Sequence, residues 1–489
     1  MSIDELPVVP GGNVLGHVHL FQDDRLRFLR TVGETGPLSR LRFLHRWVVM
    51  ASAPETAHAV LVEHAKSFEK SPGIRVLLHE LAGDGLFTSE GDLWKKQRRL
   101  MSPLFHAQPL AGYAPTMSDV ARRALAEVAD GERVDLSRLT TRIAMGVVAA
   151  TLFGAESAGD ADDIGHALTV ALKWVDGQMA SSYLTLQITL IELLEKLQPV
   201  VPAPLASVQA KLEEALRDPI LLPGRRDPEL VAAVQRLDTY VQALIDDRRA
   251  SPQARVDLLT KLLLVRDVEG GRTEGMSDKQ VRDEANTLFV AGHETTANAL
   301  AWSFSLLGRH PEALARAQAE ADAFGPEGPT SYEPERLAYT TRVFREALRL
   351  YPPVVLLPRR TLEPVEIAGV ALPERTIVFV NPYGLHMSAD VWPEPDRFDP
   401  DRFLPEREAT RHKSAWLPFG VGPRVCIGNH FAMMEGPLVL ATLLRRARFE
   451  LPTQPIEADA FATLRPKGGV PAVVHHRERE RRSTSPEAR

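Results

Sequence analysis

Apolar residues recur along most of this chain at the three- and four-residue spacing of amphipathic helices, interrupted near the start and again past residue 350 by short apolar runs. Leu38 to Leu44 and Trp47 to Ala51, rich in β-branched and other apolar residues and separated by His45 and Arg46, predict a hairpin. Strand-like runs return only at Val365 to Val370 and Thr376 to Val380. A lone hairpin cannot bury its apolar face, so pairing of the early and late runs would build one sheet from opposite ends of the chain and make the whole a single domain.

The longest helical pattern begins at Ser277, with Gln280 three residues on as a capping box, and keeps its apolar spacing through Leu288, Phe289, Leu300 and Leu306 to His310 and Pro311. At about 30 residues it would reach roughly 45 Å, enough to cross a domain. Pro311 suits the first position of the next helix, Glu312 to Phe324. Pro199 to Pro204 and Asp218 to Asp227 are expected to connect helices as mobile segments, and His475 to Arg489 to form a charged, disordered tail after one domain spanning residues 1–474.

Composition narrows the function. A hydrophobic fraction of 44% and a charged fraction of 25% belong to a globular protein. A net charge of -6 argues against a general nucleic-acid binder. The N-terminus has neither a basic and apolar leader nor an apolar stretch of about 20 residues, so the expectation is a cytoplasmic protein without a membrane anchor. The single cysteine, Cys426, excludes an intrachain disulfide, a Cys-x-x-Cys pair and a multi-thiolate zinc site.

Cys426 lies in the run Pro-Phe-Gly-Val-Gly-Pro-Arg-Val-Cys-Ile-Gly, with Phe419, Gly420, Gly422, Arg424 and Gly428 around it and the helix-compatible Phe431 to Met434 beyond. Glycines let backbone N–H groups approach a sulfur, and a following helix N-terminus favours the thiolate. A small buried cysteine in a glycine-rich turn is the plainer explanation of a lone thiol. Five fixed residues at set spacing, however, arise by chance in such a chain on the order of once in ten thousand.

This run resembles the haem-binding loop of the cytochrome P-450 family. The resemblance implies a mainly α fold with a smaller β region (α+β), a long central helix over the haem, and non-covalent haem b, since no Cys-x-x-Cys-His is present. It makes Cys426 the axial iron ligand, Phe419 the aromatic residue packed near the sulfur, and Arg424 a partner of a haem propionate. Further segments agree. Trp94 and Arg98, at i, i+4 on one helical face, match the pair that binds a propionate, and Arg359 matches the position that reaches the other, with Arg360 as a neighbour easily confused with it. Glu346 and Arg349, otherwise an ordinary surface pair, match with Arg402 the family's structural core.

On the long helix, Ala291 to Thr296 matches the oxygen-activation segment. Gly292, costing about 1 kcal/mol against Ala in a helix interior, would mark a local opening of the helix for dioxygen. Thr295 would be the hydroxyl that orients oxygen and relays a proton, with Glu294 at the solvent-connected end. The plainer role for Thr295 is a hydroxyl bonded back to the preceding turn.

The implied activity is a haem-thiolate monooxygenase that draws electrons from a separate ferredoxin or flavodoxin with its reductase and oxidises a hydrophobic small molecule. Its pocket would be lined by a loop from Ile74 to Phe87, by Leu288 to Gly292 and by Val354 to Leu357, with Arg75, His79 and Glu80 as the charged or titratable candidates. Ala155 to Val256 matches no pattern, as a substrate-specific region would. Lys95, Lys96 and Arg99 would form a basic face for an acidic donor. The alternative is a peroxide-driven haem-thiolate enzyme or a haem-binding sensor. A Cys426–His430 nucleophile would leave Trp94, Arg98, Gly292, Thr295 and Glu346 unexplained, a metalloprotease helix fails at Ala297, and a dinucleotide loop lacks its third glycine.

Overall fold

The computed structural model describes residues 1–154, 158–179, 187–191, 193–194, 207–209, 211–212, 227–250, 257–265, 275–460 and 462–477. The expected connection at 199–204, and all but Asp227 of the one at 218–227, lie outside these residues, as does the tail from 478 onward.

The helices that position the site are α1 (Pro72–Ala82), α2 (Gly91–Met101), α3 (Leu136–Leu152), α4 (Asp278–Arg309), α5 (Pro311–Asp322), α6 (Ala338–Leu350) and α7 (Asn429–Arg446). The capping box at Ser277 and Gln280 is formed reciprocally, at 2.9 and 3.2 Å, and starts α4 where the sequence predicts. The 32 residues of α4 are buried on nearly every face, and α3 and α7 belong to the same apolar core. Pro311 stands at the first turn of α5.

The predicted hairpin forms from β1 (Leu38–Phe43) and β2 (Arg46–Ala51), in antiparallel register with Leu41 opposite Val48. It enters a five-stranded sheet with β3 (Phe68–Lys70), β5 (Leu357–Thr361) and β8 (Ile377–Val380), in the order β1-β2-β8-β5-β3. β4 (Glu132–Asp135) belongs to another sheet, described below. Val49 of β2 lies beside Val378 of β8 in parallel, so the sheet does join opposite ends of the chain. β3 and β5 are not legible from apolar alternation because charged residues occupy them. Their pairing buries those charges: Arg360 Nε donates to Glu69 Oε1 at 2.6 Å across the ladder.

Two boundaries differ from expectation. Val365 to Val370 is not one strand but a tight hairpin of β6 (Val365–Ile367) and β7 (Val370–Leu372), turned by Ala368 and Gly369 at φ 49° and 79°. A run of apolar residues hides such a turn when Ala takes one of the left-handed positions. His475 and His476 end strand β10 (Pro471–His476) rather than opening a tail, because they pair with Arg448 and Ala447 of β9 (Ala447–Glu450); β4 flanks β10 on its other side.

Candidate functional site

The loop before α7 is shaped by two glycines in the left-handed region. Gly422 has φ 79°, and a Cβ there would lie 2.0 Å from the Leu61 carbonyl oxygen; Gly420 has φ 66°. The turn closes when Cys426 N–H donates to Phe419 O at 2.9 Å, and α7 starts three residues later. Burial pushes the Cys426 thiol up, opposed by the Gly428 N–H aimed at the sulfur and by the charge of Arg98. Cys426 nevertheless has accessible surface. Both observations hold where the open side of the residue faces a hollow within the protein rather than bulk water. The ring of Phe419 packs edge-on to Trp416, with centroids 6.0 Å apart.

A group of cations meets near this loop. Trp94 and Arg98 lie on α2, Arg359 on β5, and Arg424 on the cysteine loop with its guanidinium carbon 4.3 Å from the centre of the Trp94 ring. Burial lowers Arg98, the sulfur partly offsetting it, and no carboxylate pairs with it among the described residues. Arg359 donates to the neighbouring Pro358 carbonyl at 2.9 Å, and its pKa falls to about 10 through burial and the adjacent Arg424, against a smaller pull from Glu90. Strand alternation separates it from Arg360, which turns to Glu69. Arg424 is already engaged: it pairs with Glu90 through both guanidinium nitrogens, at 2.9 and 2.5 Å. Two partly or wholly buried arginines that no carboxylate pairs among the described residues, beside a cysteine that is shielded yet retains accessible surface, fit a thiolate-bound haem with two propionates.

The segment Ala291 to Thr296 holds a correction. α4 runs as an unbroken α-helix through Gly292. The glycine is required by packing instead: a Cβ at Gly292 would sit 2.9 Å from Val148 Cγ2, where α3 crosses α4. Thr295 donates to the Ala291 carbonyl at 2.9 Å, so the plainer role foreseen for it is realised. That bond leaves the hydroxyl oxygen free as an acceptor. Ala291 is exposed and Thr295 partly so, although the flanking Val290 and Thr296 are buried, and the two lie one turn apart on one face. Glu294 Oε2 is buried without a hydrogen-bond partner among the described residues. His293 Nδ1 donates to the Phe289 carbonyl at 2.8 Å, and burial lowers the His293 pKa against the opposing pull of Glu294 and of that bond.

Beneath the loop lies the expected ionic core. Glu346 receives Arg349 at 2.7 and 2.8 Å, Arg402 approaches it at 3.3 Å, and all three are buried. Sequence reading missed His386, which links this core to the cysteine loop. One ring nitrogen accepts from Leu417 N–H at 2.8 Å while the other lies 3.1 Å from Arg349 O, which fixes the neutral tautomer. Its pKa drops to about 3, first through burial and then through Arg349.

The segment expected as a pocket loop is largely α1, started by Pro72, with Leu77, Leu78 and Leu81 facing the core at helical spacing. Arg75 and His79 have protein partners: Arg75 donates to Thr88 O at 3.1 Å and His79 lies 3.6 Å from Asp84. The turn after α1 is tied to α4, since Asp84 N–H and Leu86 N–H donate to Asp283 and Glu284 at 3.0 and 2.9 Å. These ties were not legible, because acidic residues near a helix start read as ordinary end charges.

The family model described as Cytochrome P450 matches residues 7–470. Cyclooctatin synthase of Streptomyces melanosporofaciens is 36% identical over 90% of this chain and 89% of its own length. Cyclooctat-9-en-7-ol 5-monooxygenase of the same organism is 32% identical over 89% and 87%. Pentalenene oxygenase of Streptomyces avermitilis is 30% identical over 92% and 93%. The cytochrome P450DA haem domain, a crystal structure, superposes with a TM-score of 0.79 at 26% identity, covering 96% of this chain and 98% of that one. With matches over nearly the whole length and a cysteine loop built as this one is, the chain belongs to the cytochrome P450 family and is a monooxygenase that binds haem b through a cysteine thiolate.

Proposed function

We propose that this monooxygenase oxidises a hydrophobic, terpenoid-like molecule with dioxygen and electrons from a separate ferredoxin or flavodoxin and its reductase, in the cytoplasm. Cys426 is the thiolate ligand; Trp94, Arg98 and Arg359 hold the propionates, with Arg424 and Phe419 shaping the edge and the loop. When bound, the haem supplies oxygen activation, to which an axial thiolate contributes electron density. Thr295 and Glu294 carry the proton: the Thr295 hydroxyl, anchored on Ala291 O, presents its oxygen as an acceptor, and the unpartnered Glu294 oxygen beside it in sequence can pass a proton from solvent. Gly292 lets α4 approach α3 and so fixes where that face lies.

Support for the substrate class comes from the relatives named for an alkene and an alkenol, and from the apolar run Val354 to Leu357 that leads into β5. No helix among the described residues is long and apolar enough to cross a membrane. The domain expected over residues 1–474 is read as extending through His476, since His475 and His476 are strand residues.

The observation that carries this reading is Cys426 itself, a single thiol at a helix start, met by the Gly428 N–H and by Arg98. Cys426→Ser should abolish the thiolate-type band of the reduced carbon monoxide complex and reduce turnover by more than a hundredfold. Retention of the wild-type band would show that another group binds the iron.

A further inference from the structure

Glu90 is a residue that no motif singles out, yet three segments of the site converge on it. It caps α2, so it is rigidly joined to Trp94 and Arg98 one and two turns on. Its carboxylate receives both terminal nitrogens of Arg424 from the cysteine loop, at 2.9 and 2.5 Å. It also accepts the backbone N–H of Lys70 on β3 at 2.9 Å, with Lys70 Nζ at 3.7 Å. Lys70 is the ladder partner of Arg359 on β5. The side chain of Glu90 is only 11% exposed, so its interactions act through protein rather than bulk water.

The charges here are unequal. Arg98, Arg359 and Arg424 supply cations, and Lys70 adds a partial one because burial draws its pKa down to about 7, while Glu90 is the carboxylate that contacts Arg424 and Lys70 among the described residues. Lys70 is in turn held by the carbonyls of Leu86 and Ser89, at 3.0 and 2.7 Å. An arginine paired bidentately with a buried carboxylate adds almost no net charge to its surroundings; unpaired, it adds a full positive one.

We propose that Glu90 is a positioning residue of the haem edge: by holding Arg424 as a neutral pair, it limits the positive charge beside the propionates and so sets the reduction potential of the iron. The inference rests on the haem site described above. Reduction adds an electron to the haem, so a positive charge released nearby favours the ferrous state. A carboxylate left unpaired opposes it.

The pair therefore makes a signed prediction for the holoprotein at fixed pH and salt. Glu90→Gln, which keeps an acceptor for Lys70 N–H and nearly the same volume, should raise the potential, shifting the reduction equilibrium on the order of tenfold, about 59 mV for one electron. Arg424→Gln should lower it. The double variant should return toward wild type, and Glu90→Asp, which keeps the charge, should stay near it. A purely structural role for Glu90 would move the unfolding temperature without this pattern of signs.

Spectroelectrochemical titration reads the potentials, and the reduced carbon monoxide spectrum is recorded on every protein. If wild type lacks the thiolate-type band, the haem-thiolate reading itself fails. If the band is present and Glu90→Gln leaves the potential unchanged or lowers it, or the double variant does not return, the Glu90 inference alone is overturned. Should Glu90→Gln retain too little haem to titrate, Arg424→Gln still decides: a potential that does not fall overturns it.

Discussion

At the scale of single residues, the chemistry depends on what each polar atom is bonded to. Thr295 spends its hydrogen on Ala291 O, so removing the hydroxyl deletes an acceptor from the oxygen face without leaving a buried donor unmet. Thr295→Ala should hence change stability by no more than about 1 kcal/mol while product formed per electron pair falls on the order of tenfold, the remainder appearing as peroxide. Unchanged coupling would assign proton delivery to another group. Glu284 makes a different prediction. Burial, reinforced by Asp283 and opposed by the Leu86 N–H and Lys70, pushes its carboxyl up to about 8. The folded protein then keeps a proton that the unfolded chain releases above about pH 4.5, so stability is full below that pH and declines as pH rises toward 8. The contribution has a slope of up to about 1.4 kcal/mol per pH unit. Glu284→Gln should flatten the decline in a denaturation series from pH 5 to 8, and an unaltered slope would place its source elsewhere.

At the scale of elements, the cysteine loop is held by parts distant in sequence. Leu61 closes on Gly422, and His386 joins the Glu346–Arg349–Arg402 core to Leu417 at the loop's entry. His386→Ala leaves a buried N–H and a buried carbonyl short of a partner and opens a cavity. It should cost about 2 to 4 kcal/mol and hasten loss of the thiolate-type band on mild heating. A variant with wild-type unfolding midpoint and band lifetime would show that the bridge does not support the loop. Capping and proline signals located α4 and α5 well because they are local, whereas the helix opening that the family resemblance implied at Gly292 is absent and packing accounts for the glycine instead. Its neighbour Val148 lies on another helix more than a hundred residues away.

At the scale of the whole molecule, the acidic chain displays a small basic area on α2. Trp94 and Arg98 turn partly inward as expected, and Lys95 and Arg99 are exposed, but Lys96 is half-buried and Lys95 also reaches Asp92 at 2.8 Å. Under the proposed function, the area that would steer an acidic donor is centred on Lys95 and Arg99. Reversing both to Glu should slow association with an acidic ferredoxin by roughly tenfold at low salt and flatten its salt dependence, with the carbon monoxide spectrum unaltered. Stopped-flow reduction that keeps its rate and salt response would move the docking site to another face.

By itself the sequence determined the ligand, since one cysteine in a loop of fixed spacing leaves no second thiol to choose. It also determined the long helix with its cap, and the hairpin, because periodicity and turn chemistry act between near neighbours. Only tertiary structure decided that Arg360 pairs with Glu69, that β3 and β5 are strands at all, and that Arg424 is held by Glu90. Charged strands become favourable only when a partner strand brings the opposite charge. A carboxylate at a helix start looks like any other until a loop more than three hundred residues later folds onto it, and desolvation there makes the contact strong.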